Sequence, residues 1–152
     1  MATEDTVQLS EAHAPQQASI DAFNSILESV KEGLIKLRRD HDKHEPEYFR
    51  AVQGVSDAEL ASISTSDLDS VRVATSAYGL HLFAKVKLPA ANNAYIHVRV
   101  FGSAKDGTDG SSLDEREYTL HSIHTEEVIK DDGDRVYRAI FGKDDALEWF
   151  DT

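Results

Sequence analysis

Apolar residues recur at Ile20, Phe23, Leu27, Val30, Leu34 and Leu37, in alternating three- and four-residue steps that place all six on one helical stripe. The spacing predicts a helix from Gln16 that stops near Lys43, ahead of Pro46. Ser19 is a candidate cap, Asp21 suits the positive end of the helix dipole, and Lys36, Arg38 and Arg39 suit its negative end. Gly33 runs against the pattern. Inside a helix it costs about 1 kcal/mol relative to alanine, so either tertiary packing overrides it or a backbone passes close by. The stripe is short for a coiled coil and strand patterns follow it, so it is expected to cover a core.

Beyond the helix the period changes. Tyr48 to Val52 is a short aromatic and β-branched run, and residues 54–69 are polar and small enough for a loop or short helix. Leu82, Ala84, Val86 and Leu88 then alternate with His81, Phe83, Lys85 and Lys87, the two-residue period of a strand. Pro89 ends it, Asn92 and Asn93 tolerate a left-handed turn, and Tyr95 to Phe101 forms the returning arm. In that arm Ile96, Val98 and Val100 are expected inward, His97 and Arg99 outward. Residues 102–114 read as a long exposed loop. β character resumes from Glu117 to Ile129, anchored by Tyr118, Leu120 and Ile123. Asp131 to Asp134 is a turn signal, and Arg135 to Phe141 alternates again. The closing Leu147, Trp149 and Phe150 are expected to dock on the body of the domain, because exposure would forgo several kcal/mol of burial. The expected class is α+β, one long N-terminal amphipathic helix packed on a four- to five-stranded antiparallel sheet. Residues 1–15, polar and ending at Pro15, are expected to form a mobile N-terminal arm, and residues 16–152 a single domain.

Composition narrows the chemistry. A chain of 152 residues suits one domain, and the absence of cysteine removes disulfides, thiolate metal sites and cysteine nucleophiles. A net charge of −12 opposes binding to phosphate backbones, so nucleic acid is not an expected partner. No run is long and apolar enough for a membrane span, and Glu4 and Asp5 stand where a signal peptide would carry basic residues, so a cytoplasmic location is expected. His41, His44 and Glu45 lack the spacing of a metalloprotease helix. His121 and His124 fall on opposite faces of a regular strand. Asp106, Asp109 and Asp114 lack the ligand order of an EF-hand loop, and no glycine-rich nucleotide loop or Gly-x-Ser-x-Gly turn occurs. No cofactor and no metal are expected, and no enzymatic activity. An enzyme would need a buried polar cavity between helix and sheet, holding His81, His97 or His121 with a carboxylate partner.

An ordered set of segments resembles the stefins, the cytosolic branch of the cystatin inhibitors of papain-like cysteine proteases. Leu9-Ser-Glu-Ala12 is similar to the short segment ahead of the stefin helix, and Glu47-Tyr-Phe-Arg-Ala-Val52 looks like the strand after it. Phe83-Ala-Lys-Val86 followed by Tyr95-Ile-His-Val-Arg-Val-Phe101 resembles the stefin hairpin with its His-x-Arg-Val-Phe run. Tyr118-Thr-Leu120 and Leu147-Glu-Trp-Phe150 resemble the last strand and the C-terminus.

The resemblance implies a cystatin-like fold and non-covalent occlusion of a protease cleft by three exposed segments. Carried over, these are Val7, Gln8 and Leu9 in the arm, Ser70, Val71, Arg72, Val73, Ala74 and Thr75 at the first hairpin loop, and Ser103 and Ala104 at the second. Val73 matches the central valine of the family's Gln-x-Val-x-Gly loop, while the loop's glutamine and glycine are not in their expected places. The implied partner is a papain-like cysteine protease. The alternative is a cystatin-fold module that has lost the wedge and binds another protein or self-associates through its sheet, as a homodimer; residues 54–69 and 131–145, additions to the short stefin pattern, are candidates for reshaping the surface or for a dimer contact.

Overall fold

Helix α1 runs from Gln17 to Asp42 in the computed structural model, which describes residues 10–43, 46–76, 79–91, 94–104, 107, 116–129, 131–133 and 135–150. Lys43 closes the helix, as the sequence pattern predicts. Of the six stripe residues, Phe23, Val30 and Leu34 are wholly buried, while Ile20, Leu27 and Leu37 pack at the margin. Ala22 and Ile26 complete the covered face. The start differs from expectation. Gln16, not Ser19, stands at the cap position, and Ser19 is buried one turn in. Asp21 lies beyond the first turn and accepts from Gln17 Nε2 at 2.9 Å. Gly33 is explained by side chains rather than by backbone: a Cβ there would stand 3.3 Å from Leu120 Cδ2 and 3.6 Å from Ile123 Cδ1. The missing side chain lets strand and helix approach, and that packing outweighs the poor helix propensity.

Pro46–Val52 is a pair of 3₁₀ turns kinked at Phe49, in place of the strand that the aromatic run and the resemblance suggested. The kink turns Phe49 and Val52 into the core beside α1. A short helix, α2 (Asp57–Leu60), follows, with Ser56 and Glu59 forming a reciprocal cap. Four strands then build an antiparallel meander in the order β1 (Leu68–Ser76), β2 (Gly79–Lys87), β3 (Tyr95–Ala104) and β4 (Arg116–Ile123). A second, two-stranded sheet pairs β5 (Glu126–Ile129) with β6 (Arg135–Arg138). This is the expected α+β arrangement, one long helix on a four-stranded antiparallel sheet. Asn92 and Asn93 lie outside the described residues, as does most of the expected loop after Ala104. Among the described residues no helix is long and apolar enough to cross a membrane.

The inward face of the sheet behaves as its alternation requires: Leu82, Ala84, Val86, Ile96, Val98 and Val100 enter the core beneath α1. The other face is not open to solvent. His81, Lys85, His97 and Arg99 are all buried there, although their strand positions are those of outward residues. Their cover is the C-terminal segment. Phe141 bridges Tyr95 through two backbone hydrogen bonds of 2.8 Å, and residues 142–150 then cross the face as a strap that brings Leu147 and Phe150 onto Phe83. Docking of the terminal aromatics thus occurs as expected, on the polar face rather than on the core.

Leu34→Ala is expected to cost about 2–5 kcal/mol of stability, because it removes wholly buried methyl groups and leaves a cavity. Leu37→Ala, at the half-buried margin, is expected to cost clearly less. Urea denaturation followed by far-UV circular dichroism compares the two, and equal losses would contradict this placement of the helix face.

Candidate functional site

Two regions bring chemically distinctive groups together: one end of the four-stranded sheet, and the polar face beneath the strap.

At the sheet end, the strand register fixes which chain segments meet. Ser76 pairs with Gly79, closing the β1–β2 hairpin, and Leu80 pairs with Gly102 near the end of β3. Ala104 pairs with Arg116, so the β3–β4 connection leaves from the same end. On the outer edge of β1, His13 bonds Val71 in both directions and Ser10 N–H donates to Val73 O at 2.9 Å. The run from His13 back to Ser10 therefore points toward Ser76. Three chain segments converge on one rim.

The carried-over residues sit differently from the sequence placement. Ser70 to Thr75 form the middle of β1, hydrogen-bonded to β2, and not a loop. Val71 and Ala74 are buried, and only Thr75 of the six is fully exposed. The turn lies further along, between Ser76 and Gly79. The reason is the pairing itself: with Val71 opposite Ala84 and Val73 opposite Leu82, the hairpin cannot close before Ser76. Gly79, which the sequence placement missed, supplies the glycine of that turn. Its φ is +151°, and a Cβ on it would stand 2.5 Å from the carbonyl oxygen of Gly102. Ser103 and Ala104 are exposed at the end of β3, on the same rim. Val7, Gln8 and Leu9 lie outside the described residues.

Arg72 ties this region to the second one. Its Nε donates to Ser10 O at 2.8 Å and one of its terminal nitrogens to Leu147 O at 2.7 Å, joining N-terminal segment, β1 and strap through one guanidinium. Lys85 Nζ donates to the carbonyls of Lys143 and Asp145 at 2.7 and 2.6 Å. Arg99 donates to Phe150 O at 3.0 Å and to His81 Nδ1 at 3.2 Å, with its guanidinium between the rings of Phe83 and Trp149. Beside it, His97 stacks on Phe141 at 4.3 Å and His124 on Phe150 at 4.3 Å. A cleft of about 180 Å³ opens next to these rings, lined by His97, His124 and Trp149 together with Glu126, Asp145 and Glu148. Arg138 neutralises two of the acids, at 2.7 Å from Glu126 and 3.2 Å from Asp145.

Burial sets the protonation states at this face. It pushes His97 down to about 3, helped by the charge of Lys85, and it lowers His81, helped by Arg99. Burial works against ionisation of Asp145, but the N–H of Gly142 and the nearby Arg138 hold its carboxyl below the usual carboxylate range. Buried histidines beside carboxylates are what an enzyme was expected to require. They lie under the strap instead of between helix and sheet. His97 Nε2 is buried with no hydrogen-bond partner among the described residues. No group of three or more His, Asp or Glu among the described residues is placed to hold a metal ion.

No protein-family model matches the chain, and neither a curated protein nor a solved structure matches it significantly.

The depressed value of His97 has a signed consequence. The fold favours the neutral ring, so its contribution is complete above the ordinary histidine value of about 6.5 and is lost as pH falls from there toward about 3. Over that window a single such histidine removes up to about 1.4 kcal/mol per pH unit. His97→Phe keeps the ring stack without the titration. Urea midpoints measured across this window are expected to fall less steeply in the variant than in the parent protein, and parallel curves would contradict the assignment.

Proposed function

We propose that this chain is a cystatin-like inhibitor of papain-like cysteine proteases that works in the cytoplasm, without cofactor or catalysis, by filling the active-site cleft non-covalently. The convergence at one rim of the segment ending at Ser10, the Ser76–Gly79 turn and the β3–β4 connection carries this reading. Three adjacent backbone segments at the end of a rigid sheet suit insertion into a groove, since little conformational freedom is lost on binding. Gly79 closes the first turn against β3, since a Cβ there would strike Gly102 O and the Phe101 ring, and so keeps that turn beside the second segment. In this reading the protease contacts are Thr75 and Ser76 at the first turn and Ser103 and Ala104 at the second, with Val7, Gln8 and Leu9 ahead of Ser10 carried over from the resemblance. Ser70 to Ala74 then support the edge from within the sheet.

A second reading, a protein-binding or self-associating module without inhibition, draws on β4. That strand ends the four-stranded order and turns Glu117, Thr119 and His121 to solvent, so its edge is available for pairing with another chain.

Titration of papain and of a cathepsin with the folded protein, reading peptidase activity, decides between them. Inhibition by micromolar protein or less is expected, and Ser103→Asp, at an exposed rim position, is expected to weaken it by at least about tenfold. Full peptidase activity at those concentrations would refute the inhibitor reading. Concentration-dependent dimerisation in sedimentation, abolished by Thr119→Pro, would then support the second.

A further inference from the structure

We propose that the groove between the C-terminal end of α1 and the 49–57 segment binds a phosphate-bearing small molecule. The groove has a volume of about 520 Å³, within the range of small-molecule sites. It collects Arg38, Arg39 and Arg50 against one described carboxylate, Asp57, in a chain whose net charge is −12.

The three arginines play different parts. Arg38 is nearly buried and fully committed: it donates to Val55 O at 2.7 Å and forms an ion pair with Asp57. It fixes the wall. Arg39 reaches the other oxygen of Asp57 at 3.3 Å while its side chain remains 65% exposed, and Arg50 is exposed with no ion pair among the described residues. The Arg50 fork is open to an anion and the exposed Arg39 fork can turn from Asp57 to join it, and paired N–H donors match phosphate oxygens better than a point charge does. Phe49 and Val52, both buried, back the groove and fix the segment that carries Arg50 against α1. Gly54, at φ +88°, has no atom within 4 Å of where a Cβ would stand, so the rim beside the forks is open. Asp57 is the built-in competitor, held ionised mainly by its hydrogen bond from Arg38. A phosphate displaces Arg39 from Asp57 without disturbing Arg38. The groove shares no residue with the sheet rim, so this site stands or falls independently of protease inhibition.

Inorganic pyrophosphate is the probe, titrated into isotope-labelled full-length protein and followed by amide chemical shifts. Saturable shifts at Arg50, Gln53 and Gly54 in the millimolar range are expected. The double variant R39Q/R50Q, changed only at exposed side chains, is expected to bind at least about tenfold more weakly. Asp57→Asn, checked for fold by circular dichroism, is expected to bind several-fold more tightly because the competing charge is gone. Absence of saturable shifts would overturn the proposal, as would unchanged affinity in R39Q/R50Q. So would a folded Asp57→Asn protein that binds no more tightly than the parent. Saturable binding of a glutamate-rich peptide at the same amides, with none of pyrophosphate, would overturn it in favour of a peptide site.

Discussion

Arg99 sits in the middle of the four-stranded sheet, buried to 2% exposure, with a main-chain carbonyl and two aromatic faces among the groups that meet its charge. A cation placed there without partners would cost several kcal/mol, so the strap that carries Phe150 O and Trp149 is a condition of this sheet rather than an ornament on it. Lys85 and Arg72 repeat the arrangement, each reaching carbonyls between Lys143 and Leu147. Three cations, one from each of β1, β2 and β3, thus define the path of the last described residues.

The two faces of the sheet are therefore built on different physics. Toward α1, burial of aliphatic side chains is enough, and Gly33 lets the helix approach Leu120 and Ile123. Toward the strap, stacked rings and cation–carbonyl bonds replace aliphatic packing, and depressed histidines make that side the acid-sensitive one. With both faces covered, the meander is held rigid, and what it presents is its rim. Arg72 connects rim and strap directly, through Ser10 O on one side and Leu147 O on the other.

Much of the fold is legible in the sequence because helix and strand periods are written in side chains. The stripe from Ile20 to Leu37 and the alternation from Leu82 to Leu88 lead to the helix and to its sheet. The polar face escapes such a reading for an equally physical reason. His97 and Arg99 alternate with buried residues as solvent-facing ones do, and the groups that cover Arg99 include a backbone carbonyl, which no residue type announces. Phe83, an aromatic among the outward positions, is the available hint. The rim is displaced because Val71 and Val73 suggest a loop by resemblance, whereas their pairing with Ala84 and Leu82 makes them strand, and the signal that matters is Gly79. The arginine groove is hidden in the same way. Arg38 and Arg39 are accounted for by the helix dipole, and only the fold brings Arg50 and Asp57 beside them.

The dependence of the strap on buried cations is open to one direct measurement, because Trp149 is the chain's single tryptophan. Arg99→Met removes the charge while keeping apolar bulk, leaving Phe150 O without its donor. The tryptophan emission of the folded variant should shift to longer wavelength, as the strap lifts and Trp149 meets water, while the far-UV circular dichroism of helix and sheet is retained. Emission that stays at the parent wavelength in a folded Arg99→Met protein would show that the strap is held by its rings alone, and would contradict a sheet whose last covering segment depends on buried cations.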